Sequence, residues 1–171
     1  MSPHRNIELK ARCRELRHAR KVFLEMGARE AGVLIQTDTY FRVPNGRLKL
    51  REIESEHCEL IWYDRPNNAE SRTSTYFLVR VPDPTGMKLT LTAALGVRGQ
   101  IRKRRELLLW HNVRIHLDEV DDLGNFVEFE AVMGPGEIEA MGHERLKELS
   151  QKLEITAGDC VAFSYSDLAR L

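Results

Sequence analysis

The stretch "RKRRELLLWHNVRIHLDEVDDLGNFVEFE", Arg102–Glu130, holds a basic cluster, an alternating Arg114, His116 and Asp118, and the spaced acids Glu128 and Glu130. Apolar residues alternate with charged ones: Val113, Ile115 and Leu117 stand against Arg114, His116 and Asp118, and Val127 and Phe129 against Glu128 and Glu130. A period of two is that of a β-strand whose two faces meet different surroundings. The run therefore predicts three successive antiparallel strands, over Gln100–Leu109, Val113–Val120 and Phe126–Val132. In the first of them Lys103 and Arg105 share a face with Ile101, while Arg102 and Arg104 take the other, so that strand is charged on both sides.

The same alternation recurs upstream in Ile7–Arg12, Leu34–Arg42, Arg47–Ile53, Glu59–Asp64 and Ser74–Val81, which brings the total to about eight strands. Asn45-Gly46 in "VPNGR" supplies a hairpin turn. Sorted by parity, Glu8, Lys10 and Arg12 oppose Ile7, Leu9 and Ala11, and Lys49 and Arg51 oppose Leu48 and Leu50. Three segments switch to helical spacing. Leu16, Ala19, Phe23 and Met26 form one stripe ended by Gly27; Ile138, Met141 or Gly142, Leu146, Leu149 and Leu153 form another; "TGMKLTLTAALG" reads as a short helix stopped at Gly96. With neither repeat nor linker, residues 1–171 read as one α+β domain.

The 171 residues suffice for one core, and 26 basic against 26 acidic residues leave no net charge. The chain as a whole has no field to draw it onto nucleic acid or an anionic membrane, so any charge-driven function must be local. Cys13, Cys58 and Cys160 are odd in number and widely spaced, which argues against a disulfide framework or a zinc knuckle and for a reducing cytoplasm. The start "MSPHRNIELKAR" lacks the apolar core of a signal peptide, and no run is long enough to span a bilayer.

One solvated sheet with an oily interior accounts for each strand taken singly. The amphipathic helices favour a second arrangement, because their stripes need the apolar face of the sheet, which turns the charged faces away from them. Eight strands can close into a barrel with room inside for side chains or one small ligand. Charges lining such a lumen must be hydrated, paired internally or met by a complementary ligand. Many Lys and Arg with a few carboxylates suit a polyphosphate carrying a divalent cation. There is no Gly-rich phosphate loop, His-Glu-x-x-His or Gly-x-Ser-x-Gly. His111 and His116 read as hydrogen-bonded bystanders, and Trp62 and Trp110 as packing beneath helices.

From "NIELKAR" through "GRLKLREIE", "ELIWYDRP" and the Arg102–Glu130 run to "SYSDLARL", the chain resembles the CYTH superfamily of triphosphate tunnel proteins, and looks nearest to its class IV adenylate cyclase branch. Where that family has Glu-x-Glu-x-Lys, this chain has Asn6-x-Glu8-x-Lys10, an amide in place of one carboxylate. The resemblance implies a closed eight-stranded antiparallel barrel with helices outside, gripping a triphosphate. It implies that Lys10, Arg12, Lys49, Arg51, Lys103, Arg105 and Arg114, with Arg65 of "YDRP" and Arg80, bind the substrate. It assigns Glu8, Asp118, Glu128 and Glu130 to catalysis and to Mg²⁺ or Mn²⁺. Arg supplies bidentate forks to phosphoryl oxygens, Lys a point charge, and carboxylates the hard oxygens that such cations need. The reaction expected is ATP to cyclic AMP and pyrophosphate; a triphosphatase and a non-catalytic polyphosphate sensor stand as alternatives. The expected partners are a triphosphate and a second copy of the chain, without nucleic acid or membrane.

Overall fold

The computed structural model describes residues 3–134 and 136–171. Eight strands close into an antiparallel barrel in the order β1-β5-β4-β3-β2-β6-β7-β8. They are β1 (His4–Arg12), β2 (Arg29–Phe41), β3 (Arg47–Ile53), β4 (Cys58–Asp64), β5 (Arg72–Val81), β6 (Val97–Trp110), β7 (Val113–Val120) and β8 (Gly124–Met133). Helices α1 (Leu16–Glu25), α2 (Pro84–Leu95), α3 (Glu139–Lys152) and α4 (Tyr165–Leu168) lie against its outside or across one end. None of the described helices is long and apolar enough to cross a membrane.

The parity of the strands becomes the inside and outside of the barrel. Ile7, Leu9 and Ala11 of β1, Leu108 of β6, Val113 and Ile115 of β7 and Phe129 of β8 turn outward into one cluster with Ala19 and Phe23 of α1 and Leu146 and Leu149 of α3. Leu50 joins a second cluster with Leu48 and with Met87 and Leu91 of α2. The opposite parity of β1 is also buried, because it faces the lumen.

Most strand limits match the sequence expectation to within two or three residues, but β2 begins at Arg29 rather than Leu34. A register shift between Glu30 and Gly32 breaks the alternation there, and Gly32 adopts φ +121°, so the strand continues where its pattern does not. Gly27 ends α1 at φ +89°, and the Trp110 indole donates to the Met26 carbonyl at 3.3 Å, sealing the helix end. In α2, Pro84 follows the N-cap Asp83, whose carboxylate accepts from Gly86 N at 3.0 Å. Trp62 differs from expectation: it lies beneath no helix but over the β2–β3 turn, donating to the Asn45 carbonyl at 3.1 Å. A Cβ on Gly46 would come within 2.8 Å of its ring, and Gly46 holds φ +65°, so the glycine answers to both backbone and indole.

The segment after α3 closes one end of the barrel. Ala11 and Cys160 form a β-bridge, Val161 N donates to the Lys10 carbonyl at 2.8 Å, and Arg65 donates to the Ala162 carbonyl at 3.1 Å. Tyr165 then packs with Tyr40, Ile101, Val120 and Phe126 across the opening. Ser164 and Asp167 form a capping box, and Asp167 also pairs with Arg47 at 3.0 Å and Arg98 at 3.2 Å. The barrel is thus blind at this end and open at the other.

Within the α3 stripe, Leu146 and Leu149 are fully buried, whereas Ile138 is 64% and Met141 48% exposed, because the helix starts after Ile138 and turns Gly142 onto Ile7. Leu146→Ala should therefore cost about 2–5 kcal/mol in urea unfolding, and Ile138→Ala within about 0.5 kcal/mol. Equal losses would misplace the helix.

Candidate functional site

A carboxylate that the sequence does not advertise organises the lumen. Asp38, inward-facing on β2 and fully buried, accepts both nitrogens of an Arg51 fork at 2.7 and 2.9 Å, Lys49 Nζ at 3.0 Å and Lys103 Nζ at 2.8 Å. Register explains the meeting: β3 sets Arg51 opposite Asp38, and β6 sets Ile101 there, one inward step from Lys103. Burial alone would raise the Asp38 pKa, but Arg51, Lys103 and Lys49 together hold it well below the carboxylate range. Burial and the neighbouring Arg51 push Lys49 down to about 8 against the pull of Asp38. Lys103 is pushed well below its usual value, by burial first and then by its cationic neighbours, with Asp38 opposing.

A second network starts on β6. Arg105 donates to Asp118 at 2.7 and 2.6 Å and to Glu128 at 2.9 Å, and the Tyr165 hydroxyl donates to Asp118 at 2.7 Å. Lys10 pairs with Glu128 at 3.2 Å and sits 3.7 Å from the Tyr165 ring centroid. Burial tends to raise the Glu128 pKa, yet Lys10, His116 and Arg105 hold it well below the usual range. On β1, Glu8 lies 2.9 Å from Arg65 Nε and 3.2 Å from Arg72 Nη2. Desolvation prevails there over both arginines, helped by Glu128 and Glu130, and raises the Glu8 pKa.

These groups surround a cavity of about 130 Å³. Glu8, Lys10, Lys49 and Arg51 line it, with Lys103 and Arg105 from β6, Glu128 and Glu130 from β8, Arg65 and the half-exposed Arg114, ten of the residues named from the sequence. Three residues of that set lie elsewhere. Arg12 is exposed, 5.1 Å from the Phe126 ring centroid and donating to the Leu123 carbonyl, because Phe126 and Tyr165 fill the barrel at its level. Arg80 is exposed at the open rim, one inward step beyond Leu78 and in register with Glu59. Asp118 does not line the cavity: Arg105 donates to both of its oxygens and Tyr165 to one of them, so it orients the arginine.

His116, read from the sequence as a bystander, stands between two acids, Nδ1 3.4 Å from Glu128 and Nε2 3.9 Å from Glu130. Among the described residues, His116, Glu128 and Glu130 are the one group whose donor atoms, all within 4.8 Å of one another, gather closely enough for a cation. Asn6, also lining the cavity and 4% exposed, has its Oδ1 without a hydrogen-bond partner. The imidazole and two carboxylates make a donor set for a divalent ion, and the unclaimed amide oxygen of Asn6 lies in the same cavity.

The CYTH domain family matches this chain over residues 4–165. The chain belongs to that family. Its barrel superposes on a Pyrococcus horikoshii protein with a TM-score of 0.83 at 23% identity, covering 95% of this chain and 98% of the other. A candidate adenylate cyclase of Vibrio parahaemolyticus aligns with a TM-score of 0.79 at 19% identity over 100% of both chains. A candidate adenylyl cyclase of Hippeastrum, reported to have a dominant triphosphatase activity, aligns at 0.67 and 16% identity over 97% of this chain and 93% of its own. At these identities the likeness is one of fold. No curated protein matches the chain significantly.

In this CYTH barrel the lowered pKa of Lys49 gives a pH signature. Lys49 loses its proton above about 8, and an anion seated beside it favours the charged form, so anion binding above that pH takes up a proton. Tripolyphosphate affinity, followed by titration calorimetry in buffers of different ionisation enthalpy, should weaken by up to about tenfold per pH unit from pH 8 upward, and less so in Lys49→Arg. A flat profile would mean that Lys49 keeps its proton or does not meet the anion.

Proposed function

We propose that this CYTH protein is a metal-dependent enzyme acting on a triphosphate held in the lumen, and that its reaction is class IV-like cyclisation of ATP to cyclic AMP and pyrophosphate. The observation that carries the reading is the convergence of Lys49, Arg51, Lys103 and Arg105, from two strands, on one blind cavity whose opposite wall carries Glu8, Glu128 and Glu130. A triphosphate competes with Asp38 for three of these cations and with Glu128 for Arg105, exchanging internal pairs for phosphoryl oxygens.

His116, Glu128 and Glu130 are the residues that would hold the cation, and Glu8 and the amide oxygen of Asn6 are in the same cavity. A divalent ion, when bound, supplies charge neutralisation and Lewis acidity at phosphoryl oxygens. The chain's part is to hold a flexible polyanion in one conformation from several walls, so that the 3′-hydroxyl of ATP meets the α-phosphorus in line and the cations carry the charge of departing pyrophosphate. Asp118, by fixing Arg105, keeps one of those cations aimed inward.

A triphosphatase reading needs the same residues with water attacking the terminal phosphoryl group. The activity reported for the Hippeastrum relative favours keeping it. Incubation with ATP, thiamine triphosphate and inorganic triphosphate plus Mg²⁺ or Mn²⁺ separates them: cyclic AMP with pyrophosphate supports cyclisation, phosphate supports the triphosphatase, and tight binding without product makes the protein a sensor. Glu130→Gln should lower metal-dependent turnover by about 100-fold or more while leaving metal-free triphosphate binding intact or tighter, since it removes a negative charge beside the phosphates. Full activity in that variant would take Glu130 out of the metal site.

A further inference from the structure

The carboxylates of the cavity are already engaged by cations, and this decides what kind of ion they can still attract. Glu8 Oε1 takes both Arg65 and Arg72, at 2.9 and 3.2 Å. Glu128 takes Lys10 at 3.2 Å on Oε1 and Arg105 at 2.9 Å on Oε2. Glu130 is held more loosely, its Oε2 3.8 Å from the half-exposed Arg114. Asn6 stands one inward step from Glu8, the register partner of Glu130, and brings an unpartnered amide oxygen without a charge. Little negative charge is therefore left for a hard cation.

His116 offers a donor of another kind. It is 4% exposed, and β8 sets Glu128 opposite it while β6 sets Leu107 on its other side. Nδ1 lies 3.4 Å from Glu128 Oε2, and a ring nitrogen facing a carboxylate carries the proton, so the lone pair of the neutral ring is on Nε2. Nε2 lies 3.9 Å from Glu130 Oε2. That gap is too wide for a hydrogen bond, yet within the span of two bonds of about 2.1 Å to one ion. A carboxylate that accepts from one ring nitrogen while the other ligates fixes the tautomer and raises the basicity of a metal-binding histidine. Of the roughly four lone pairs of Glu128, Lys10, Arg105 and His116 take three, so it orients the ring and still has one to offer.

Resting on the reading of the lumen as a metal-dependent site, we propose that His116 is an inner-sphere nitrogen ligand and makes the site choose a first-row transition ion of the Co²⁺ or Zn²⁺ kind over Mg²⁺. Mg²⁺ gives up its water reluctantly and is held by carboxylate charge, most of which Lys10, Arg105, Arg65 and Arg72 neutralise here. An imidazole nitrogen is a softer donor, and its bond strengthens along the first-row series from Mn²⁺ towards Cu²⁺. Asn6 acts in the same direction, since it adds an oxygen to the cavity without adding charge.

The test is titration calorimetry with Co²⁺ and with Mg²⁺, in the absence of any triphosphate, on the wild-type protein and on His116→Gln, which puts an amide oxygen in place of the nitrogen. The remaining histidines are the same in both proteins, so the difference isolates this one. Co²⁺ should bind the wild type more tightly than Mg²⁺. His116→Gln should narrow that preference by about tenfold or more, the scale on which even the orienting partners of a ligand act, and leave Mg²⁺ affinity unchanged. Affinities for the two ions that fall together, or that both stay as they were, would give the histidine a merely structural part and overturn the inference alone. Should His116→Gln fail to fold, an anomalous-scattering map of wild-type crystals grown with Co²⁺ decides: a peak bonded to His116 Nε2 upholds the inference, and a lumen ion bonded only to oxygens overturns it. A lumen that takes up neither ion removes the metal part of the proposed function, and the inference with it.

Discussion

Asp38 is an anion with no access to water and three cations around it, and the inside of the barrel depends on that arrangement. Removing a carboxylate or an ammonium from water costs several kcal/mol per ion unless opposite charge and hydrogen bonds replace the lost solvent. Lys49, Arg51 and Lys103 come from β3 and β6, the two strands that flank β2, so a single carboxylate ties three adjacent strands on their inner face. The cations still outnumber the charge they share. This leaves an excess positive field aimed into the cavity, and a phosphoryl chain is the kind of ligand that can relieve it.

The outside of the barrel makes this interior affordable. Each inner charged residue has an outward neighbour in sequence, and on β1, β7 and β8 those neighbours are Ile, Val, Leu, Ala and Phe buried under α1 and α3. Hydrophobic burial on the outer face thus offsets the desolvation of charge on the inner one. Blocking one end is as important as closing the sheet: Tyr165 seals the lumen, donates to Asp118 and lies against Lys10, so one residue limits the depth of the cavity and touches both arms of the β6–β8 network.

The architecture was legible because alternation of period two fixes a face for every side chain, and the helical stripes state which face is apolar. That logic sent Lys10, Lys49, Arg51, Lys103 and Arg105 to one cavity. It could not single out Asp38, which stands between two threonines in "QTDTYF" and reads as a solvated acid; its partners lie 11 to 65 positions away and meet it only through strand register. Arg72 was missed because its strand was started two residues late, at Ser74. Parity gives a direction without a depth, so Arg12 and Arg80, on the correct side of their strands, lie at the filled end and at the rim. Asp118 is on the inward side of its strand, yet the Arg105 fork and the Tyr165 hydroxyl occupy it, and His116 stands between Glu128 and Glu130.

The central claim is that the excess cations around Asp38 receive a triphosphate inside the barrel. The direct measurement is a crystal structure of the protein grown with tripolyphosphate. The account predicts the ligand inside the lumen, its oxygens within hydrogen-bond reach of Lys49, Arg51, Lys103 and Arg105, and the pairs with Asp38 and Glu128 lengthened where phosphoryl oxygens have replaced them. A ligand found only on the outer surface, with the Asp38 pairs unchanged and the lumen holding water alone, would contradict it.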